Sequence, residues 1–151
     1  MKSRSYELEI AKLWPDIKVT GQACPFWVPL VEYDEADSPG ADYFVKKRID
    51  QLMKKDPDID TIILGCTHFP LLMPKILKYT QPGVRIVPQG EYVATSLRDY
   101  LRRHDDMNRR LTKGGTVKYY TTENPDKFKK SATVFLHKDV DVEHVELSPV
   151  D

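Results

Sequence analysis

The sequence predicts a parallel α/β domain, and three observations favour that class. Residues 61–65 (TIILG) form an unbroken apolar run between charged and turn residues, which is typical of a strand buried on both faces. Residues 84–88 (VRIVP) form a second strand-like segment. A helical pattern lies between the two segments and another follows the second. This alternation of strand and helix indicates a parallel sheet.

The elements of the first part of the chain are predicted from periodicity and from proline. Residues 5–14 place apolar side chains at helical intervals and are followed by a proline. Residues 17–23 (IKVTGQA) alternate and contain β-branched residues, so they predict a strand. Residues 24–41 contain three prolines and predict a long ordered loop. Residues 42–55 predict an amphipathic helix.

The second part of the chain continues the alternation and then changes character. Helices are predicted at 70–80, with a proline in the first turn, and at 91–104. Residues 105–115 are polar, end in a double glycine and predict a linker. Residues 116–151 predict a strand–helix–strand segment that is too short to bury its own apolar faces and must dock elsewhere. The predicted α/β domain therefore covers residues 1–104.

Composition excludes several classes of function. The 151 residues carry 23 basic and 23 acidic side chains, so nothing in the charge predicts binding to nucleic acid or to an anionic membrane. No apolar stretch approaches the roughly 18 residues that a membrane span needs, and the first residues lack the apolar region of a signal peptide. Two cysteines make no disulfide framework, so we expect a reduced, cytoplasmic setting.

A thiol and an imidazole stand together at the end of the predicted strand 61–65. Ligands of parallel α/β sheets bind outside the carboxyl ends of the strands, and Cys66 directly follows such an end. The helix expected behind it would present free N–H groups, a setting that favours an accessible thiolate. His68 is close enough in sequence to relay a proton. Thr67 can cap that helix or bind a carboxylate.

Spacing alone leaves several interpretations open. A cysteine after a strand is often a small buried apolar residue. Zinc fits poorly, because Cys66, His68 and the distant Cys24 supply at most three ligands and no metal is expected. A Cys–His acyl-transfer or hydrolase domain would need an orienting acid that the spacing does not identify. A third hypothesis is a non-catalytic module that binds a small carboxylate or a protein partner.

Two motifs in register resemble the glutamate racemases. The segment GCTHFPLL (65–72) resembles their second cysteine motif, GCTHYPLL, and ACPFWVPLVE (23–32) resembles their ACPLFVPLVE. Segments 2–10 and 91–101 and the tail also resemble that family. The resemblance covers nearly the whole chain and corresponds to the C-terminal half of a glutamate racemase. It implies that residues 1–104 are the second of two pseudo-symmetric α/β domains and that residues 116–151 belong to the absent first domain. Aspartate and hydantoin racemases are the alternatives within the superfamily, and ACPFWVPLVE favours the glutamate branch.

The resemblance implies an isomerase that needs no cofactor and interconverts L- and D-glutamate, supplying D-glutamate for peptidoglycan and the cell wall. Two cysteines on opposite faces of the substrate Cα serve that family as base and acid. By resemblance Cys66 is one of this pair and His68 is the histidine that assists it. Glu32 matches a glutamate lining the site, and Thr67 matches a contact to the substrate carboxylate.

The motifs of the family's first domain have no counterpart in the sequence. Neither a DSGxGG-like segment nor an NTA- or CNT-like first cysteine is present, and Cys24 matches a cysteine that is not the catalytic partner. The resemblance therefore implies two partners, the substrate glutamate and an N-terminal domain that is missing here. A homodimer is a further expectation for the chain. The chain by itself is expected to be inactive.

Overall fold

The computed structural model describes residues 4–148, so the outermost residues of the two predicted domains, 1–3 and 149–151, lie outside the described residues. The chain divides into two compact units, one ending at Tyr92 and the other beginning at Val93. The division falls inside a helix. The predicted domain boundary after residue 104 stays a prediction.

Within the described residues three helices come first, and short strands and further helices follow them. The helices are α1 (Ser5–Leu13), α2 (Trp27–Glu32), α3 (Pro39–Lys55), α4 (Met73–Tyr79), α5 (Gln89–Arg103), α6 (Asp105–Arg110) and α7 (Pro125–Leu136). The strands are β1 (Thr61–Leu64), β2 (Arg85–Pro88), β3 (Tyr119–Thr121) and β4 (Val142–His144), and a 3-10 turn covers Phe69–Leu72.

The sheet of the first unit is the parallel pair β1–β2, in which Thr61 lies opposite Arg85 and Leu64 opposite Pro88. This confirms the prediction of a parallel α/β class. Burial on both faces of β1 was a wrong prediction, because Ile63 remains 45% exposed while its two neighbours in the strand are buried. Successive side chains of a strand point to opposite faces, so β1 buries one face only in this chain.

The prediction of a long loop over residues 24–41 was wrong, because proline starts helices here. Pro29 lies in the first turn of α2, and Pro39 is the first residue of α3. An amide hydrogen has no helical partner in that turn, so its absence costs nothing there. Ser38 caps α3 by accepting a hydrogen bond from the backbone N–H of Ala41 at 3.1 Å.

Residues 17–23 do not form the predicted strand, because no neighbouring strand pairs with them among the described residues. The segment is tied instead to the end of α3. Lys18 Nζ lies 2.9 Å from the buried carboxylate of Asp56, and its hydrogen bond lowers the pKa of that carboxyl. Lys55 donates to the carbonyl oxygen of Gly21 at 2.9 Å. Alternating β-branched residues indicate an extended backbone, and a strand also requires a partner.

One carboxylate joins α3 to α4. Asp42 accepts hydrogen bonds from Lys75 at 2.6 Å, from Lys78 at 2.9 Å and from the hydroxyl of Tyr79 at 2.5 Å. The hydrogen bond from Lys75 is the largest cause that holds the pKa of Asp42 well below its ordinary value, followed by those from Tyr79 and Lys78. Charged hydrogen bonds from one helix to another fix their relative position.

Replacing Asp42 with asparagine is expected to lower the midpoint of thermal unfolding at pH 7. Because the pKa of Asp42 is lowered in the folded state, this carboxylate stabilises the fold fully at pH values above its unfolded-state pKa of about 3.9. That stabilisation is lost as the pH falls through the folded-state pKa. The difference between wild type and Asp42→Asn should therefore shrink below pH ~4. Melting followed by circular dichroism between pH 3 and 8 measures it.

The matched control for this experiment is Asp50→Asn. Asp50 pairs at 2.6 Å with Lys46 of the same helix, and both side chains are exposed. Such pairs contribute little to stability. Equal losses for the two variants would contradict the role given to Asp42.

The second unit holds the tail. The predicted linker 105–115 contains helix α6, and Gly114 and Gly115 beyond it adopt positive φ, which favours glycine. Strands β3 and β4 are parallel neighbours, with α7 between them in sequence. The buried residues of the second unit, within its described part, are Thr121, Ala132 and Val140. Docking of this small core onto another sheet stays a prediction. Within residues 4–148, no helix is long and apolar enough to cross a membrane.

Candidate active site

Cys66 lies at the carboxyl edge of the parallel pair. Strand β1 ends at Leu64, opposite Pro88 of β2, and Cys66 follows after a single glycine. Its thiol is free and partly buried. This edge is where parallel α/β sheets bind ligands, so the thiol stands at the position that the sequence predicted for it.

The turn that follows Cys66 differs from the helix expected there. Residues Phe69–Leu72 form a 3-10 turn, and the α-helix begins only at Met73. Pro74 explains the break, because it has no N–H to give the carbonyl oxygen of Pro70 four residues earlier, and its ring would collide with that oxygen. The dipole of α4, a helix of seven residues, therefore starts too far along the chain to act on Cys66.

A polar relay lies behind the thiol. His68 Nδ1 is 3.6 Å from Cys66 Sγ, and His68 Nε2 is 2.5 Å from Glu32 Oε1. The His68 side chain is 25% exposed and that of Glu32 is 44% exposed. The three residues predicted for catalysis are thus connected by two successive contacts, from the thiol to the imidazole and from the imidazole to the carboxylate. Since the carboxylate faces the far nitrogen, it can fix the tautomer and orientation of the ring.

Aromatic packing brings Glu32 to His68 although 36 positions separate them. Trp27, at the start of α2, is buried against Phe69 of the 3-10 turn, with ring centroids 4.8 Å apart. Its indole N–H donates to the carbonyl oxygen of Phe44 in α3 at 3.4 Å. These contacts fix the first residue of α2 against the turn and against α3, and Glu32 is the last residue of the same six-residue helix.

Thr67 lies in the turn between the thiol and the imidazole, and its side chain is exposed. Across the turn, the carbonyl oxygen of Cys66 accepts a hydrogen bond from the N–H of Phe69 at 3.2 Å. Thr67 does not act as the helix cap that spacing alone allowed, because the capping positions of the 3-10 turn and of α4 are His68 and Leu72. Its exposed side chain is accessible to a ligand. Within residues 4–148, no three His, Cys, Asp or Glu side chains are grouped to hold a metal ion.

Cys24 has a different environment. Burial is the main cause that raises the pKa of its thiol to about 11, and the charges of Arg48 and Lys55 offset only part of that rise. Its sulfur lies 3.7 Å from the carbonyl oxygen of Gln22. A thiol with so high a pKa is almost entirely protonated at neutral pH and is a poor nucleophile or base.

Sequence reasoning did not find the residues that hold the relay together. Trp27 lies in the segment 24–41 that was predicted to form a loop, and the contact of its ring with Phe69 was not predicted. A signal was present in the sequence, since each of the two motifs contains aromatic residues, in FWVP and in HFPL. Which aromatic rings meet depends on the tertiary structure.

Comparison with known proteins gives one consistent result. The chain is 37% identical over 148 residues to the glutamate racemase of Lactiplantibacillus plantarum, covering 97% of this chain and 54% of that protein. It is 39% identical over 150 residues to the glutamate racemase of Streptococcus mutans, with 97% and 54% covered. No protein-family model matches the chain.

Solved structures agree with the sequence comparison. Glutamate racemase isoform RacE1 from Bacillus anthracis superposes with a TM-score of 0.83 at 32% identity, covering 97% of this chain and 53% of that one. Glutamate racemase from Francisella tularensis, solved in complex with D-glutamate, superposes with a TM-score of 0.80 at 26% identity, covering 96% and 53%. The racemase-type α/β fold predicted from the sequence is confirmed.

The chain spans about half the length of the curated relatives that it matches. The matched part is their C-terminal half, which confirms the resemblance as it was drawn from the two motifs. The activity of the full-length relatives is therefore only proposed for this chain.

Proposed function

We propose that this chain forms one wall of a glutamate racemase site and that Cys66 moves the Cα proton of glutamate on that wall. The observation that carries the proposal is the relay of Cys66, His68 and Glu32 at the carboxyl edge of the sheet. The similarity to glutamate racemases, one of them solved with D-glutamate, supports the choice of substrate.

The proposed reaction is a proton transfer on each face of Cα. In one direction the Cys66 thiolate removes the proton, so that a C–H bond breaks, an S–H bond forms and the electron pair stays on the substrate. A proton donor on the opposite face then forms the new C–H bond. In the reverse direction Cys66 is the donor. His68 stabilises the changing charge on sulfur, Glu32 orients the imidazole, and Thr67 contacts the substrate carboxylate.

The second proton-transfer group is proposed to come from outside this chain. Inversion requires two groups that face each other across Cα, while Cys66 and His68 lie on one wall. Cys24 is a poor candidate for the second, because burial keeps its thiol protonated. An N-terminal domain like the other half of the relatives is the proposed source, and a second copy in a homodimer is the alternative. Reduced thiols of this kind suit the cytoplasm.

One observation favours a second candidate function. Thiol, imidazole and carboxylate in line are also the arrangement of a cysteine acyl-transfer or hydrolase site, and Glu32 supplies the orienting acid that the sequence did not identify. Such a site would be complete within this chain. It should then release nitrophenol from an activated ester with a burst that disappears in Cys66→Ser, without any added domain.

The test compares the chain alone with a chimera in which residues 1–151 replace the matching half of the Bacillus anthracis racemase. Coupled detection of D-glutamate from L-glutamate measures turnover. We expect turnover by the chimera and none by the chain alone, because one wall cannot invert a stereocentre. A chimera that folds and leaves glutamate unchanged would sink the proposal, and so would a burst with activated esters in the chain alone.

A further inference from the structure

Gly65, the single residue between β1 and Cys66, lies against the ring of Tyr6. A Cβ atom built on Gly65 would stand 3.0 Å from the Tyr6 hydroxyl oxygen and 3.4 and 3.5 Å from two carbons of its ring. The φ of Gly65 is not positive, unlike that of Gly83, Gly114 and Gly115. The backbone conformation at position 65 therefore does not itself favour glycine, and the close contact that an added Cβ would make is with Tyr6.

The same hydroxyl also contacts the residue that follows the other strand. Tyr6 accepts a hydrogen bond from the side-chain amide of Gln89 at 2.9 Å. Gln89 is the first residue of α5 and directly follows Pro88, the residue opposite Leu64 in the parallel pair. One phenol thus touches the chain just beyond the carboxyl ends of both strands, although Tyr6 itself lies in α1 and is 50% exposed.

We propose that Tyr6 and Gln89 form a clasp over Gly65 that positions the thiol of Cys66 for its contact with His68. The inference rests on the proposed proton-transfer role of Cys66. After Cys66, the turn is held by the hydrogen bond that the N–H of Phe69 donates to the carbonyl oxygen of Cys66. Before Cys66, the ring of Tyr6 is the group that packs against Gly65. Tyr6 is a positioning residue, since it acts on the thiol through the backbone.

The distances explain why a small movement would matter. The thiol lies 3.6 Å from the imidazole nitrogen, and such a contact weakens when the alignment of the two groups is lost. A Cβ at position 65 forces the phenol or the turn to move by a few tenths of an ångström. Moving the turn weakens the contact between thiol and imidazole, and the thiolate then loses its polar neighbour.

The test is a double-mutant cycle on the chain itself, with the rate of Cys66 alkylation by iodoacetamide at pH 7 as the readout. Gly65→Ala alone is expected to slow Cys66 by about three- to tenfold, a usual coupling for residues in contact. In the Tyr6→Phe background the 3.0 Å contact is gone and the nearest atoms stand at 3.4 and 3.5 Å, an ordinary separation. There Gly65→Ala should change the rate less than about twofold.

Gly90→Ala is the matched control, because a Cβ at Gly90 meets nothing within 4 Å. It should leave Cys66 at its wild-type rate. Cys24 is the internal control, since general loosening of the fold would speed the labelling of both cysteines. An unchanged Cys66 rate in Gly65→Ala, or the same slowing in both backgrounds, overturns the clasp.

If circular dichroism shows Gly65→Ala unfolded, Gln89→Ala carries the test, because it inserts no atoms and removes an exposed side chain together with its hydrogen bond to Tyr6. It should slow Cys66 by about two- to threefold, and an unchanged rate overturns the clasp. None of these measurements needs turnover. The clasp can therefore fail while the racemase proposal stands, and the reverse also holds.

Discussion

Replacing Cys66 with serine in the chimera is expected to abolish interconversion of L- and D-glutamate, with a loss on the order of 10²–10⁴ in kcat. A serine hydroxyl has nearly the shape of the thiol but does not ionise near neutral pH, so it can neither accept nor return the Cα proton. The loss should appear in both directions of the reaction, because one group serves as base in one direction and as acid in the other.

Cys24→Ser is the matched control for this experiment. It makes the same chemical change at a thiol whose pKa is raised to about 11, and it should keep activity within about threefold, since surface and packing changes of this size act weakly. Glu32→Gln should fall between the two, because Glu32 acts on the thiol through His68. A Cys24→Ser enzyme that is as inactive as Cys66→Ser would identify Cys24 as the second base instead.

At pH 7.5, Cys66 is expected to react with iodoacetamide about a hundred times faster than Cys24. With a pKa of about 11, Cys24 holds a thiolate in only roughly one molecule in three thousand at that pH. The rise in pKa from the ordinary value of 9.0 to about 11 leaves Cys24 with about a hundredfold less thiolate than an unburied thiol would hold, which sets the expected ratio. Cys66 is also in contact with an imidazole that can stabilise the thiolate.

Brief labelling followed by mass mapping of the two peptides measures the ratio. The rate at Cys24 should rise roughly tenfold per pH unit up to pH ~11, because a raised pKa keeps the thiol protonated until then. After denaturation the two cysteines should react alike, which removes any intrinsic difference between the peptides. Equal rates in the folded chain would identify Cys66 as an inert thiol of the core.

The sequence by itself determined the local features. Apolar runs, helical spacing and proline positions predicted β1, β2, α3 and α5 to within a few residues, because these patterns depend on neighbours along the chain. The motif after β1 placed Cys66 at the carboxyl edge, and two motifs in register identified the similarity to glutamate racemases. The predicted loop at 24–41 was wrong, because Pro29 and Pro39 lie in the first turn of a helix, where proline is compatible with the helix and does not break it.

Only the tertiary structure decided which distant groups meet. Residues 17–23 have the pattern of a strand but lack a partner, and a strand exists only where another chain segment completes its hydrogen bonds. The contact of Glu32 with His68 follows from the packing of Trp27 on Phe69. These pairings depend on how the helices pack across the core. The spacing of residues along the chain does not predict the distance in space between segments that are far apart in the sequence.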